Sequence, residues 1–318
     1  MDLLSPTVNQ MIFLFAFILL GFVLAKTKKL PREASAILSK LENMIFIPAL
    51  VMGTFIKNFT ISTFSSAWKI LLFSFALEIV IILITVPVCR LCAKDKFTQN
   101  IYTYGLAFSN FGFMGNAVVA AIFPQYFTDY IIYTLPLWTL IYVWGVPSLL
   151  MDRAEGEVIT VKTRLKPLLN PMLICMVIGM VIGISGLTLP ASVLSVIQVS
   201  GDCMSPIAML LTGITLGSIN LSGTLKRKSI YSVTALRLLI SPLAALGVFA
   251  LLSIWWQIPD VYVICTICAM AMPLGLNTIV VPAAYGKDTS TAAGMALVSH
   301  LLSILTIPVI FILLKTIL

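Results

Sequence analysis

Charge is scarce in this sequence. Aspartate, glutamate, lysine and arginine make up 10% of its 318 residues, whereas soluble domains carry about 25%. Hydrophobic residues make up 60%, and the mean hydropathy is +1.07. These values exclude a soluble globular protein, and no polar stretch between the apolar runs is long enough to hold a soluble domain. Histidine is almost missing: His300 stands alone, so the paired zinc ligands of an HExxH helix cannot be built. GxxxxGK[ST] is absent, which excludes an ATP-driven pump within this chain, and so is the GxSxG nucleophile elbow. We expect no catalytic residue, no metal ligand and no resident cofactor. The first ten residues, MDLLSPTVNQ, contain an acid and no base, unlike the n-region of a signal peptide. The first apolar run therefore reads as a retained helix.

Cysteine is present six times, as two CxxC pairs (Cys89/Cys92 and Cys265/Cys268) plus Cys175 and Cys203. The expected topology puts the pairs at opposite ends of the membrane, where they cannot share one tetrahedral site. They read as small apolar residues in helices.

The chain contains apolar runs of about the 20 residues a bilayer requires. Ten spans are expected, at 8–25, 35–56, 66–90, 99–122, 127–151, 167–185, 190–218, 228–252, 260–284 and 289–315. Bases cluster after alternate spans: Lys26, Lys28, Lys29 and Arg32, then Arg90, Lys94 and Lys96, then Arg153, Lys162, Arg164 and Lys166, then Lys226, Arg227 and Lys228, then Lys287. These are 15 of the chain's 20 lysines and arginines. The positive-inside rule makes that side cytoplasmic and places both termini outside the cell membrane. It also accounts for the net charge of +8, so the bilayer is the partner and nucleic acid is not. The polar segment 153–166 divides the chain into a first half at 1–152 and a second at 167–318. Five spans is an odd number, so two such halves, if they are repeats, are inverted relative to one another.

Two spans are interrupted. Gly105–Pro124 contains Ser109, Asn110, Phe111, Gly112, Gly115 and Asn116 at its middle, and Ala269–Gly286 contains Pro273, Gly275, Asn277 and Pro282. A glycine weakens a helix by roughly 1 kcal/mol relative to alanine, and an amide in hydrocarbon needs a partner. Interrupted segments at corresponding places in two halves point to a transporter site at the bilayer midplane. Asn110, Asn116 and Asn277, with backbone N–H groups near Gly112 and Gly275, are the candidate ligands of a polar or anionic substrate; helix gluing is the competing role. Aligning Gly112 with Gly275 pairs Asn110 with Pro273, whereas aligning Asn116 with Asn277 pairs GNAVV with LNTIV, and the sequence does not choose.

Carboxylates inside spans are functional suspects. Asp202 and Glu78 are the candidates for binding a coupling proton or sodium ion, with ion pairing to Arg237 as the structural alternative. Lys40 and Glu42 read as a snorkelling lysine or a gate ion pair. His300 reads as bonded to a neighbouring helix rather than as a titrating group.

The segments NMIFIPALVMGTF, SNFGFMGN, LLNPMLICMVIGMVIG, SPIAMLLTGITLG and AMPLGLNTIVVPAAYGKD, in that order, resemble the auxin efflux carrier family, and more closely its bacterial permeases than its plant members with a long central loop. The resemblance implies an all-helical integral membrane fold of ten helices in a five-plus-five inverted repeat. Its broken helices four and nine cross, as in sodium/proton antiporters and bile-acid sodium symporters. It implies a scaffold of helices one, two, six and seven, elevator-type transport of an organic anion such as a dicarboxylate, and frequent homodimers through helices two and seven. The family's crossover asparagine matches Asn110 and its helix-nine proline matches Pro273. Ser109 departs from the proline found there in plant members, and Ala117 from a proline common in bacterial ones. The alternatives are a bile-acid-type symporter and a membrane sensor or enzyme.

Overall fold

The computed structural model describes residues 4–31, 33–151, 171–218, 224–284 and 287–318. The linker at 153–166, the start of span six, and Arg32 lie outside the described residues. The fold is all-helical: α1 Leu4–Lys26, α2 Ala34–Asn58, α3 Ile61–Cys92, α4 Lys96–Ala107, α5 Phe111–Ile122, α6 Pro124–Leu150, α7 Pro171–Ser185, α8 Ala191–Ser218, α9 Lys228–Leu252, α10 Asp260–Met270, α11 Asn277–Ala284 and α12 Ser290–Leu314. Seven of the described helices (α1, α2, α3, α6, α8, α9 and α12) are long and apolar enough to cross a membrane, and α5, α7 and α10 are shorter apolar helices. Among the described residues the only β-type pairing is one antiparallel bridge between Ser109 and Leu274.

Two pairs of helices pack through small residues at i, i+4 spacing. Gly213 and Gly217 of α8 face α1, where a Cβ on Gly213 would run into the Ile18 carbonyl and one on Gly217 would sit 2.8 Å from the Phe22 carbonyl. Gly179 and Gly183 of α7 meet α2, with the Met52 carbonyl 2.8 Å and the Phe55 carbonyl 2.6 Å from the places their Cβ atoms would occupy. In hydrocarbon, where apolar burial does not drive helices together, this close backbone approach is the main source of association.

The two interrupted segments are built differently from one another. Asp95 caps α4, its Oδ1 accepting from Thr98 N–H at 2.8 Å; the hydrogen bond holds its carboxyl below the usual carboxylate range. After Ala107 the backbone is extended at Phe108 and irregular at Asn110, and α5 then begins with a π-helical turn over Phe111–Gly115. In the second segment α10 ends at Met270. Pro273 lacks an N–H and disfavours a helical residue before it, and α11 begins at Asn277.

Candidate functional site

The two interruptions cross. Asn110 N–H donates to the Pro273 carbonyl at 2.8 Å, Ser109 Oγ donates to the Ala269 carbonyl at 2.7 Å, and Leu274 N–H donates to Ser299 Oγ of α12 at 3.2 Å. Extended backbone inside an apolar protein leaves donors and acceptors that must be paired, and here each chain serves the other.

At the crossing lies a small cavity of about 20 Å³, room for about one water molecule, lined by Tyr104, Ser109, Asn110, Phe111, Gly112, Phe113, Trp138, Ile141, Gly275, Leu276 and Asn277. The first residues of both α5 and α11 contribute to it, so the positive ends of two helix dipoles meet one space. Asn110 is buried. Its Nδ2 bonds His300 Nε2 at 3.2 Å, and its carbonyl accepts from Met114 and Gly115. Asn277 Nδ2 donates to Tyr104 Oη at 3.0 Å, which leaves the phenol its own proton to donate. Aromatic rings form much of the wall: Phe111 and Trp138 meet edge to face at 5.0 Å, and Trp138 stacks on Tyr142 at 5.8 Å.

The candidates are thus divided. Asn110, Gly112, Gly275 and Asn277 come together around the cavity. Pro273 supplies the carbonyl that holds Asn110 but does not line the cavity. Asn116 does not line it either: the break precedes Phe111, so Asn116 is a helical residue more than a turn into α5, buried with its Oδ1 unpartnered among the described residues. Gly112 and Gly115 are helical as well, and what they supply is room. A Cβ on Gly112 would run into the Trp138 indole, and one on Gly115 into the Tyr130 hydroxyl.

The expected ion-coupling carboxylates lie elsewhere. Asp202 is exposed rather than buried, and it lines a separate, open cavity of about 560 Å³ with Gly201, Gln198, Lys57 and Asn58. Glu78 is buried in α3 within electrostatic reach of Arg237. The Lys40–Glu42 gate is not formed: Lys40 is exposed, while Glu42 is buried in a π-helical turn of α2 with both oxygens unpartnered among the described residues. The described cysteines are all free, and no cluster of metal-ligating residues occurs among the described residues.

Arg237, named from the sequence only as a partner for Asp202 or Glu78, lies at the two breaks. Arg237, buried in α9, donates from Nη1 to the Leu106 carbonyl at 2.7 Å, from Nη2 to Ala269 at 3.2 Å and Met270 at 3.1 Å, and from Nε to Met272 at 3.2 Å. These carbonyls close α4 and α10 or follow α10 directly. One guanidinium therefore caps both half-helices where their orphan acceptors and negative dipole ends lie. The available signal was a lone base deep in an apolar span, but its partners could not be read from the sequence.

A family described as membrane transport protein matches the chain over residues 6–311. Among curated proteins, no relative matches.

Proposed function

Because the chain belongs to the auxin efflux carrier family of membrane transport proteins, we propose that it is a secondary transporter of a small organic anion, bound at the crossover of α4–α5 and α10–α11. The observation that carries this reading is the crossing itself. Two helix N-termini and the amides of Asn110 and Asn277 converge on one cavity, while both C-terminal ends are closed by Arg237. The positive ends are left open and the negative ends are neutralised, so the cavity suits an anion. Its walls are largely aromatic and apolar, which favours a single carboxylate carried on an apolar body over a dicarboxylate, and the cavity has to widen to admit it.

The architecture we propose has ten spans in two inverted halves, with α4–α5 and α10–α11 as the broken spans. A shift of 163 positions takes Asn110 to Pro273, the residue it hydrogen-bonds, and takes Lys96–Ala107 almost onto Asp260–Met270. A two-fold axis through that hydrogen-bonded pair accounts for both, and it favours the alignment of Gly112 with Gly275. The tightly packed α1, α2, α7 and α8 form a static scaffold, the crossover group moves against it as an elevator, and coupling uses a proton or sodium. Both termini face out of the cell membrane, and the protein works as a homodimer through α2 and α8.

The test is counterflow of radiolabelled acetate, malonate or indole-3-acetate in sealed vesicles containing the purified protein. Unmodified substrate must exchange, and at substrate below saturation Asn110→Ala must slow the exchange by about 5- to 30-fold. An altered product would indicate an enzyme, and exchange at the wild-type rate in Asn110→Ala would remove the crossover as the site.

A further inference from the structure

His300 is one hydrogen bond from the cavity, and its two ring nitrogens are both engaged. Nδ1 lies 2.7 Å from the Ala296 carbonyl. A carbonyl only accepts, so Nδ1 carries the hydrogen. Nε2 of the neutral ring is then a lone pair, and it accepts from Asn110 Nδ2 at 3.2 Å. With its nitrogen committed to His300, the carboxamide of Asn110 leaves Oδ1, an acceptor, for the cavity it lines.

We propose that His300 is the proton-binding site of this transporter and that it sets the polarity of Asn110. The inference rests on the organic-anion reading of the crossover. A proton added at Nε2 turns that nitrogen into a donor, and two donors cannot share the contact. The backbone of Asn110 is pinned by its bonds to Pro273, Met114 and Gly115, but the terminal torsion of an asparagine is soft and nearly two-fold. The carboxamide turns over: Oδ1 accepts from the imidazolium, and the amide N–H groups face the cavity. One proton thereby replaces a carbonyl oxygen, which repels a carboxylate, with two donors, and it places a positive charge just behind them. By reciprocity, a bound carboxylate draws the proton onto His300 with the same coupling. Proton and anion load together, as a symporter requires.

Few other charges compete for this role. The charged and titratable groups on segments packed against α12 are Lys26 on α1, Lys226 and Arg227 ahead of α9 (Arg227 donating to Thr291 of α12 at 2.6 Å), Lys228, Tyr231 and Arg237 on α9, and Asp260, Tyr262, Cys265 and Cys268 on α10. The part of α8 that packs here, Met204–Ser218, carries none, and neither do α11 or the Ser241–Leu252 part of α9. Arg237 spends its hydrogen bonds on backbone carbonyls. The hydrogen bonds of the imidazole go to Ala296 and Asn110.

Because His300 is the chain's single histidine, ¹⁵N-histidine NMR of the full chain, purified on a histidine-free tag, reports this one ring without assignment. Free protein at high pH should show the Nδ1–H tautomer. Saturating acetate, malonate or indole-3-acetate should convert the ring to imidazolium at a pH where the free protein is neutral. Between the pH at which the ring of the free protein titrates and the higher pH at which that of the complex does, the affinity should fall by up to tenfold per pH unit, the limit for one linked proton. His300→Gln, whose Oε1 can still accept from Asn110, should bind with pH-independent affinity. A free-state Nε2–H tautomer, an unprotonated ring in the bound state, or an unchanged pH slope in H300Q would each overturn the inference. If none of the three carboxylates binds, the organic-anion reading falls and takes the inference with it, whereas binding that leaves His300 neutral overturns the inference alone.

Discussion

Replacing Arg237 with methionine keeps the length and apolar stem of the side chain and removes the charge and all its donors. Four of the five guanidinium N–H groups are used, each on a backbone carbonyl at the crossover. A hydrogen bond to a charged group contributes about 1.5–3 kcal/mol, but four bonds from one group are not independent, and carbonyls at helix ends can find other donors. The buried Glu78 would also lose its nearest opposite charge. Leaving a buried acceptor unsatisfied costs about 1–3 kcal/mol; with several carbonyls released together we expect R237M to lose about 3–5 kcal/mol, a large share of a typical total of about 5–15 kcal/mol. Thermal unfolding of the purified protein measures the loss. Glu78→Gln separates the causes: if the charges are coupled, E78Q with R237M together should be less damaging than the sum of the two by at least about 1 kcal/mol. Arg237→Lys should be intermediate, since an ammonium is a point charge that cannot fork across four carbonyls. An R237M protein that unfolds with wild-type stability and still binds its carboxylate would refute the capping role.

Asn110→Ala and Asn277→Ala should each weaken carboxylate binding by about 5- to 30-fold, the loss of roughly 1–2 kcal/mol, while folding is retained; isothermal titration reads this directly. Gly112→Ala should abolish binding by displacing Trp138, at a stability cost of about 1–3 kcal/mol from overpacking. Gly213→Val should separate α1 from α8 and lower the yield of folded protein in size-exclusion chromatography, whereas Gly247→Ala, where a Cβ meets nothing, should not. Asp95→Ala should remove the cap of α4 at a cost of about 1 kcal/mol. Since the folded-state carboxyl of Asp95 sits below its usual range, its stabilisation is present at neutral pH and is lost only as pH falls below about 4, which an acid unfolding series of wild type and variant would resolve.

The membrane class and the existence of two interrupted segments were legible because apolar runs admit few residues that weaken a helix. The location of the first break was not. Ser109, Asn110, Gly112, Gly115 and Asn116 were read as one interruption, but the break occupies Phe108–Asn110 and the glycines that follow are helical. Those glycines answer to Trp138 and Tyr130 in another helix, and a sequence cannot distinguish a glycine that ends a helix from one that makes room for a neighbour. Arg237 was read as a partner for Asp202 or Glu78 and His300 as bonded to a neighbouring helix, but the carbonyls and the asparagine they bind could not be named, since they lie as far as 131 and 190 positions away. Asp202 looked like a buried coupling site because it falls mid-span. Its orientation away from the interior depends on which face of α8 packs, and the apolar pattern of a membrane helix records that poorly.

The electrostatics of the crossover decide what can sit in it. Each helix terminus carries the equivalent of about half a charge. Arg237 closes the two negative ends, and its single positive charge offsets about one unit of negative charge there, so that ensemble is near neutral. Two positive ends remain at the cavity, together worth about one unit, and a single carboxylate matches them. A second carboxylate would meet no further positive charge and would have to shed its hydration against Phe111, Trp138 and Leu276. A proton on His300 raises the local positive charge by one more unit, and this is lost again when the proton leaves. The proton offsets the charge of the carboxylate, so the loaded site and the empty, deprotonated one carry the same net charge, about one positive unit from the two helix ends, and loading adds no net charge to be carried through the bilayer.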